Sequence, residues 1–430
     1  MEVQREPTKG LRGRLKRRRP SEPDPGNAGA GRLERLGRTH AAMSNHTNSG
    51  YDAIVVGGGV IGLASAWRAA QRGARVCVLE AGRPGAGATG VAAGMLAPVG
   101  EATWREEALL AFNLESRRRW PAFVEDLEQI SGVEAGFAQH GALHTALDRD
   151  EAESLRRHFD LQRELGLESE WLTGGECRKL EPGLATAVRG GAHVPGDASV
   201  DPRQVAVGLL GALDRGGIAV HAEVRVTSAE RSDGTWRLQT AGGQTFSGAV
   251  LVLAAGCWSG QLDWIPPESR PPVRPVKGEV VTLRGSAEEP ACERIVGADR
   301  VYIVPRSDGR LILGATVEEK GFDTTVTAGG VHELLREAYR MIPEIAELEL
   351  AETTAGLRPG TPDNSPLIGP AATEGLLVAT GHFRNGILQA PLTAECIAAL
   401  LAGEEPPVDL ASFSPQRFAG SPATRAVEVA

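Results

Sequence analysis

The chain has 430 residues, 41% apolar and 23% charged, which excludes disorder throughout and gives enough length to bury a core without staples. Its five widely spaced cysteines lack any CxxC, which argues against a disulfide framework or a zinc site and fits a reducing cytoplasm, and its longest clean apolar run, Ala249 to Ala255, is too short for a membrane-spanning helix. The net charge of −9 is uneven: residues 1–50 carry eleven Lys/Arg against five Asp/Glu, about +6, which leaves about −15 on a body without the basic face that nucleic-acid binding needs.

Residues 1–50 form a basic arm with Pro and Gly throughout and no hydrophobic period, so disorder is expected there. Arg17-Arg18-Arg19 is followed by Pro20-Ser21-Glu22-Pro23-Asp24 rather than by the apolar stretch an export signal requires, and Glu2 and Glu6 interrupt a mitochondrial pattern. Met43, eight residues before the first strand, is the expected true start.

From Tyr51 the sequence becomes specific. Tyr51 to Val56 reads as a buried parallel strand, Gly57-Gly-Gly-Val-Ile-Gly62 as a turn, Leu63 to Gln71 as an Ala-rich helix, and Arg75 to Leu79 as a second strand ending at Glu80. Gly57, Gly59 and Gly62 suit a tight turn, the close approach of a pyrophosphate and close helix-to-strand packing. Val60 and Ile61 open a helix whose free N–H groups face the phosphates. Glu80, followed by Ala81, stands where a carboxylate takes the hydroxyls of a ribose. The unit predicts dinucleotide binding.

Which dinucleotide follows from later segments. Arg83 to Met95 is a small-residue loop (Ala88, Thr89, Ala93, Gly94 and Met95 among them) that lets backbone pass beside a flat ring, as a flavin requires and a nicotinamide does not. Gly248 to Ala255 is a buried strand ending in Gly256-Cys-Trp-Ser259. Gly375 to Thr380 is another, turning through Gly381-His382-Phe383-Arg384-Asn385-Gly386 into a helix from Ile387 through Leu388 to Leu401. A helix N-terminus aimed at the flavin stabilises the anion of its reduced form. An ordinary strand–helix unit with a polar turn would look the same on pattern alone. No HExxH or other metal-ligand spacing appears.

The stretches IVVGGGVIGLASA, GVAAGML, PVKGEVV, VYIVPRSDGRLILGATVE, TTAGLRPGTPDNSPLIGP and GHFRNGILQAP together resemble the FAD-dependent D-amino-acid oxidase family, and within it the glycine oxidases of thiamine biosynthesis. The resemblance runs from about Tyr51 to Leu401. It implies an α/β fold with a Rossmann-like FAD-binding domain in three pieces, 51–134, 191–272 and 353–405, interleaved with a mixed-sheet substrate domain, 135–190 and 273–352, before a tail at 406–430. It implies non-covalent FAD, with Val224 meeting the adenine through its backbone, and a homo-oligomer of tetrameric type. It also implies a cytoplasmic enzyme that takes a small amino acid or amine and O2, with no membrane partner.

The resemblance assigns Tyr302 to the pocket above the flavin, Arg358 to the substrate carboxylate, and the backbone carbonyl of Arg384 to the amine. From the residues alone, Tyr302 is equally a half-buried core tyrosine and Arg358 equally a surface ion-pair partner. A guanidinium held in a rigid Leu-Arg-Pro-Gly turn is nevertheless the right group for two parallel hydrogen bonds to a carboxylate. The expected reaction is oxidation of glycine, sarcosine, D-alanine or D-proline by hydride transfer from Cα to flavin N5, with O2 reduced to H2O2 and the imine serving thiazole synthesis. The alternatives are a D-amino-acid or sarcosine dehydrogenase feeding a quinone, and a non-catalytic flavin-binding protein. Two departures from the glycine-oxidase pattern, Arg300 two positions before Tyr302 and Val317 after Gly-Ala-Thr, suggest an altered pocket, although Arg300 could equally bend out to solvent.

Overall fold

Period-two alternation decides how the first strand, Asn48–Val56, sits: Ala53 and Val55 belong to one buried layer, Ile54 and Val56 to the other. A strand buried on both faces needs cover on both, which is the arrangement of a parallel sheet. The computed structural model describes residues 48–419, so the basic arm, Met43 and the end of the expected tail lie outside the described residues.

The first sheet runs in the order Leu367–Pro370, Leu376–Thr380, Thr245–Leu253, Asn48–Val56, Val76–Leu79, Ala219–His221. From Leu376–Thr380 to Ala219–His221 its neighbours are parallel. Helices Val60–Gln71, Glu107–Ser131, Pro202–Arg215 and Gly386–Leu401 bury the Ala53/Val55 face. The other face is covered by Trp236, Leu238 and Phe246 of a meander and by Ile265. The meander's first turn has positive φ at Asp233 and Gly234, as a two-residue hairpin demands.

The second sheet is mixed, in the order Glu349–Gly360, Arg274–Arg284, Arg310–Gly314, Tyr302–Pro305, Ile295–Gly297, Ala142–Ala146, Gly190–Val194, Glu170–Thr173. One face packs on helix Ala328–Met341 through Leu334, Ala338 and Met341. The opposite face, with Val280, Val304, Ile312 and Tyr302, packs against Val91, Ala93 and Met95. The two sheets therefore meet at the small-residue loop. Strands Gly190–Val194 and Glu349–Gly360 belong whole to the second sheet, so boundaries at 191 and 353 cut through them. We propose 51–134, 195–272 and 361–405 as the pieces of the first unit.

Candidate active site

A cavity of about 690 Å³ runs between the sheets, from Glu80 and Val224 at one end to Tyr302 and Arg358 at the other. The first end is made of backbone. At Gly57, where φ is +116°, a Cβ would overlap the Ala254 carbonyl of the neighbouring strand, and at Gly62 it would overlap the carbonyl of Gly57. Both glycines thus serve packing, one strand to strand and the other helix to strand. Gly59 differs, because a Cβ there would find only the Thr89 hydroxyl, at 3.5 Å, and would otherwise reach into the cavity. Gly256, with φ +56° and nothing within 4 Å of a Cβ, likewise leaves its space to the cavity.

The N-cap of the helix that begins at Val60 is Gly59, which has no side chain to cap it. The Val60 amide donates to the Thr89 hydroxyl at 3.0 Å, which ties the helix start to the small-residue loop. Glu80 accepts from the Gly58 and Gly82 amides, one carboxylate oxygen each, at 2.7 Å. A carboxylate has further lone pairs, so this bracing leaves it able to accept ribose hydroxyls. Val224 is fixed by its amide on the Glu80 carbonyl, 2.8 Å.

The small-residue loop is held from the far side by arginines. Arg203 donates through Nε to the Gly90 carbonyl at 2.7 Å and pairs with Glu352, while the buried Arg306 donates to the Ala93 carbonyl. Burial pushes the Arg306 guanidinium down to about 10, against the pull of Asp201. At Gly94, φ is +78° and a Cβ would overlap the Val200 carbonyl.

Side chains make the other end. Tyr302 faces Gly314 across one strand pair, Val280 faces the same Gly314 across the next, and Gly278 lies two residues from Val280 on the same face. A Cβ at Gly314 would overlap the Tyr302 ring, and one at Gly278 would overlap the Arg358 guanidinium. Two glycines therefore form the floor over which these side chains lie and meet. Arg358 Nη1 donates to the carbonyls of Thr316 (3.1 Å) and Lys277 (3.3 Å), which leaves donors of the guanidinium for a ligand. Beneath it, the covered Lys277 ammonium sits 2.8 Å from Glu279 and 3.6 Å from Glu318. Its hydrogen bond to Glu279 holds it charged, above the usual lysine range. Burial raises the Tyr302 phenol, and Arg358 pulls it the other way. It stays a neutral donor.

The turn between the two ends belongs to both. The Phe383 amide donates to the Pro359 carbonyl at 3.0 Å, next to Arg358, and Phe383 holds a φ of +44°. His382 is buried with its Nε2 3.1 Å from the Thr393 hydroxyl. Burial pushes its pKa down to about 3, so the ring is neutral. In the following helix Pro391 cannot donate. The Leu392 amide next to it donates to Ser116 Oγ (3.4 Å), and the Leu388 carbonyl accepts from Ser116 Oγ (2.7 Å) and Trp120 Nε1 (3.0 Å), which fixes the helix whose start faces the cavity.

Most residues expected at the site line this cavity: Gly57, Gly59, Val60, Ile61, Glu80 and Ala81 at one end, Ala88, Thr89, Ala93, Gly94 and Met95 along the loop, and Val224 and Gly256 beside them. Tyr302, Arg358, His382, Phe383, Arg384, Gly386 and Ile387 complete it. Gly62, Asn385 and Leu388 do not line it; Gly62 packs on Gly57, and Leu388 is core. Arg300 and Val317 do not line it either. Arg300 is 63% exposed beside Asp299 and Val317 is 61% exposed, so the altered-pocket expectation has no support in the geometry. Sequence reasoning missed Glu101, which lines the cavity with the attractive charges of Arg384 and Arg358 close by, while burial raises its carboxyl. The signal it offered was a lone acid in the small-residue stretch after Met95.

Among known proteins, the model of the family described as FAD dependent oxidoreductase (DAO) matches residues 52–400. A glycine oxidase of Geobacillus kaustophilus (strain HTA426) is 38% identical over 373 residues, 86% of this chain and 98% of that protein. The crystal structure of glycine oxidase from Geobacillus kaustophilus superposes with a TM-score of 0.80 at 37% identity, over 85% of this chain and 98% of that one. The bifunctional protein ThiO/ThiG of Trichormus variabilis (strain ATCC 29413 / PCC 7937) is 34% identical over 374 residues, 85% of this chain but 55% of that protein.

Proposed function

We infer the reaction from one premise: the chain belongs to the DAO family of FAD dependent oxidoreductases. It is an enzyme and its cofactor is FAD. The residues fit that group. The cavity has the volume of a large-ligand site, and Gly59 and Gly256 leave open the space a Cβ would take. Glu80 and the helix start at Val60, whose N-cap Gly59 carries no side chain, suit ribose and pyrophosphate. When bound, FAD would supply the two-electron acceptor, and the proposed final acceptor is O2, which would leave as H2O2.

The substrate we propose is glycine or another small amine carrying a carboxylate, such as sarcosine, D-alanine or D-proline. The observation that carries this reading is the meeting of Arg358 and Tyr302 over Gly278 and Gly314 at one end of the cavity. Arg358 grips the carboxylate with its free donors, and the neutral Tyr302 hydroxyl donates to the same group. Holding the carboxylate fixes where Cα–H lies, which is the chief service a protein gives to hydride transfer. The turn at 381–386 lines the same cavity and is tied beside Arg358 by the Phe383 amide on the Pro359 carbonyl. Delivery of the imine to thiazole synthesis, a homo-oligomer and a cytoplasmic location belong to the same proposal, supported by the family resemblance and by the match to ThiO/ThiG.

The test is H2O2 release and flavin bleaching by the FAD-loaded protein with glycine, sarcosine, D-alanine, D-proline and L-amino acids. Peroxide from glycine and the small amines is the expected result. Bleaching without peroxide makes it a dehydrogenase with another acceptor, and no bleaching with any of them refutes the substrate.

A further inference from the structure

The cavity is lined by two carboxylates, Glu80 and Glu101. Glu80 is engaged by two amides at the ribose end. Glu101 lies at the other end, and among the described residues none hydrogen-bonds its side chain. It is half-buried, and the surface it keeps faces the cavity. Its charged neighbours are Arg384 and Arg358, with the Tyr302 phenol and the Asp197 carboxyl also nearby.

Glu101 is held there from three directions. The Gly100 amide donates to Asp197 Oδ2 at 3.1 Å, and the Val99 carbonyl accepts from Gln162 Nε2 at 3.0 Å. A Cβ on Gly100 would overlap His144 Nε2 and come within 2.8 Å of Asp197 Oδ2, so the backbone lies flat on this buried pair. Asp197 and Gln162 have no surface exposure. A segment seated on buried polar groups gives Glu101 a fixed aim, which an incidental surface acid would not have.

We propose that Glu101 receives the ammonium group of the substrate and so selects zwitterionic amino acids over amines carrying a second carboxylate. This deepens the reading above, on which it rests. An α-amino acid presents one carboxylate and one ammonium with three donors. Arg358 and Tyr302 complement the first; of the second's three donors the Arg384 carbonyl expected there takes one, and Glu101 is the carboxylate that lines the same end to accept another. A carboxylate attached to the nitrogen would be brought against Glu101 and rejected.

The experiment uses the FAD-loaded protein at pH 8, with wild type, Glu101→Gln and Glu101→Asp. Flavin absorbance reports binding of acetate, which has a carboxylate and no amine. Turnover reports glycine and iminodiacetate, whose nitrogen carries the second carboxylate. In Glu101→Gln, acetate should bind at least threefold tighter because a repelling charge is gone. The KM for glycine should rise at least tenfold, and the glycine-to-iminodiacetate ratio of kcat/KM should fall at least tenfold. Glu101→Asp should restore part of the preference. The opposed signs are the signature, since a merely structural residue would weaken both ligands together. Joint weakening, or no change in either, overturns the proposal while leaving Arg358 and Tyr302 in place. If wild type binds neither acetate nor glycine, the substrate reading itself fails and the proposal with it.

Discussion

The two ends of the cavity are built by opposite means. At the ribose end the binding groups are, apart from the Glu80 carboxylate, backbone amides, exposed by glycines that lie within six residues of one another in one strand–turn–helix unit. At the amine end they are side chains, brought together by register across four strands from residues as far apart as Gly278 and Arg358. A backbone site tolerates no added atoms but needs few particular side chains. A side-chain site tolerates changes in its floor poorly and depends on each charge it presents. The first should break by steric overlap and the second by lost electrostatics.

The largest effect is expected where overlap meets backbone. Gly57→Ala puts a methyl into the Ala254 carbonyl at a φ of +116°, and neither partner is a flexible side-chain end. No folded, yellow protein should be recovered. Gly59→Ala is the control, because its Cβ meets only the Thr89 hydroxyl at 3.5 Å. That protein should fold, with its flavin more easily lost on dialysis. Equal recovery of holoprotein from both would mean that the glycines do not divide their roles as the geometry says.

His382 joins the two ends, and its effect is read through pH. Burial lowers its folded pKa to about 3, below the ordinary value near 6.5. Above pH 6.5 both folded and unfolded chains keep it neutral, and its contribution is intact. As pH falls from 6.5 toward 3 the unfolded chain takes up a proton that the folded one refuses, so stability is lost, by up to roughly 5 kcal/mol. His144, pushed down to about 4 by burial, acts in the same sense. Asp197, pushed up to about 7, acts in the opposite sense, keeping its proton in the folded state between about 4 and 7. Thermal midpoints across that window should fall with acid in wild type and fall less in His382→Gln. Parallel curves would sink this account of the turn.

At the amine end, Arg358→Ala should raise the KM for glycine by the equivalent of about 2–5 kcal/mol while leaving the flavin content unchanged. Arg358→Lys should not rescue it, because an ammonium cannot supply two parallel donors. A KM within twofold of wild type would remove the clamp, and a loss of flavin alongside would mean that the two ends are not separable.

The same contrast explains what was legible in the sequence. The ribose end could be read directly because strand, glycines, helix and acid follow one another within about thirty residues, and each has its own stereochemical reason. The amine end was reached only through resemblance. Nothing local says that Arg358 crosses over Gly278 or that Tyr302 lies over Gly314, since both depend on how distant strands register. Glu101 was missed for the same reason: its meaning comes from Asp197 and Gln162, which seat its segment from elsewhere in the chain. Leu388 erred in the other direction: proximity to a binding motif suggested contact with the cofactor, whereas it lies in the core, while Gly62 packs on Gly57 as the third glycine of the turn was expected to.

Arg300 is where the local reading left two placements open and the geometry chooses the solvent one, and it carries the smallest expected effect. Alternation from Tyr302 would turn Arg300 toward the pocket, but the strand begins at Tyr302, so the parity does not extend back to it. Its side chain is 63% exposed and lies 3.9 Å from Asp299, a contact that solvent screens to about 1 kcal/mol or less. Arg300→His should therefore leave the order of preference among glycine, sarcosine, D-alanine and D-proline unchanged, with each kcat/KM within about twofold. A reordered profile would mean that this segment folds over the cavity when substrate binds, and the amine end would then extend beyond the four strands that hold Arg358 and Tyr302.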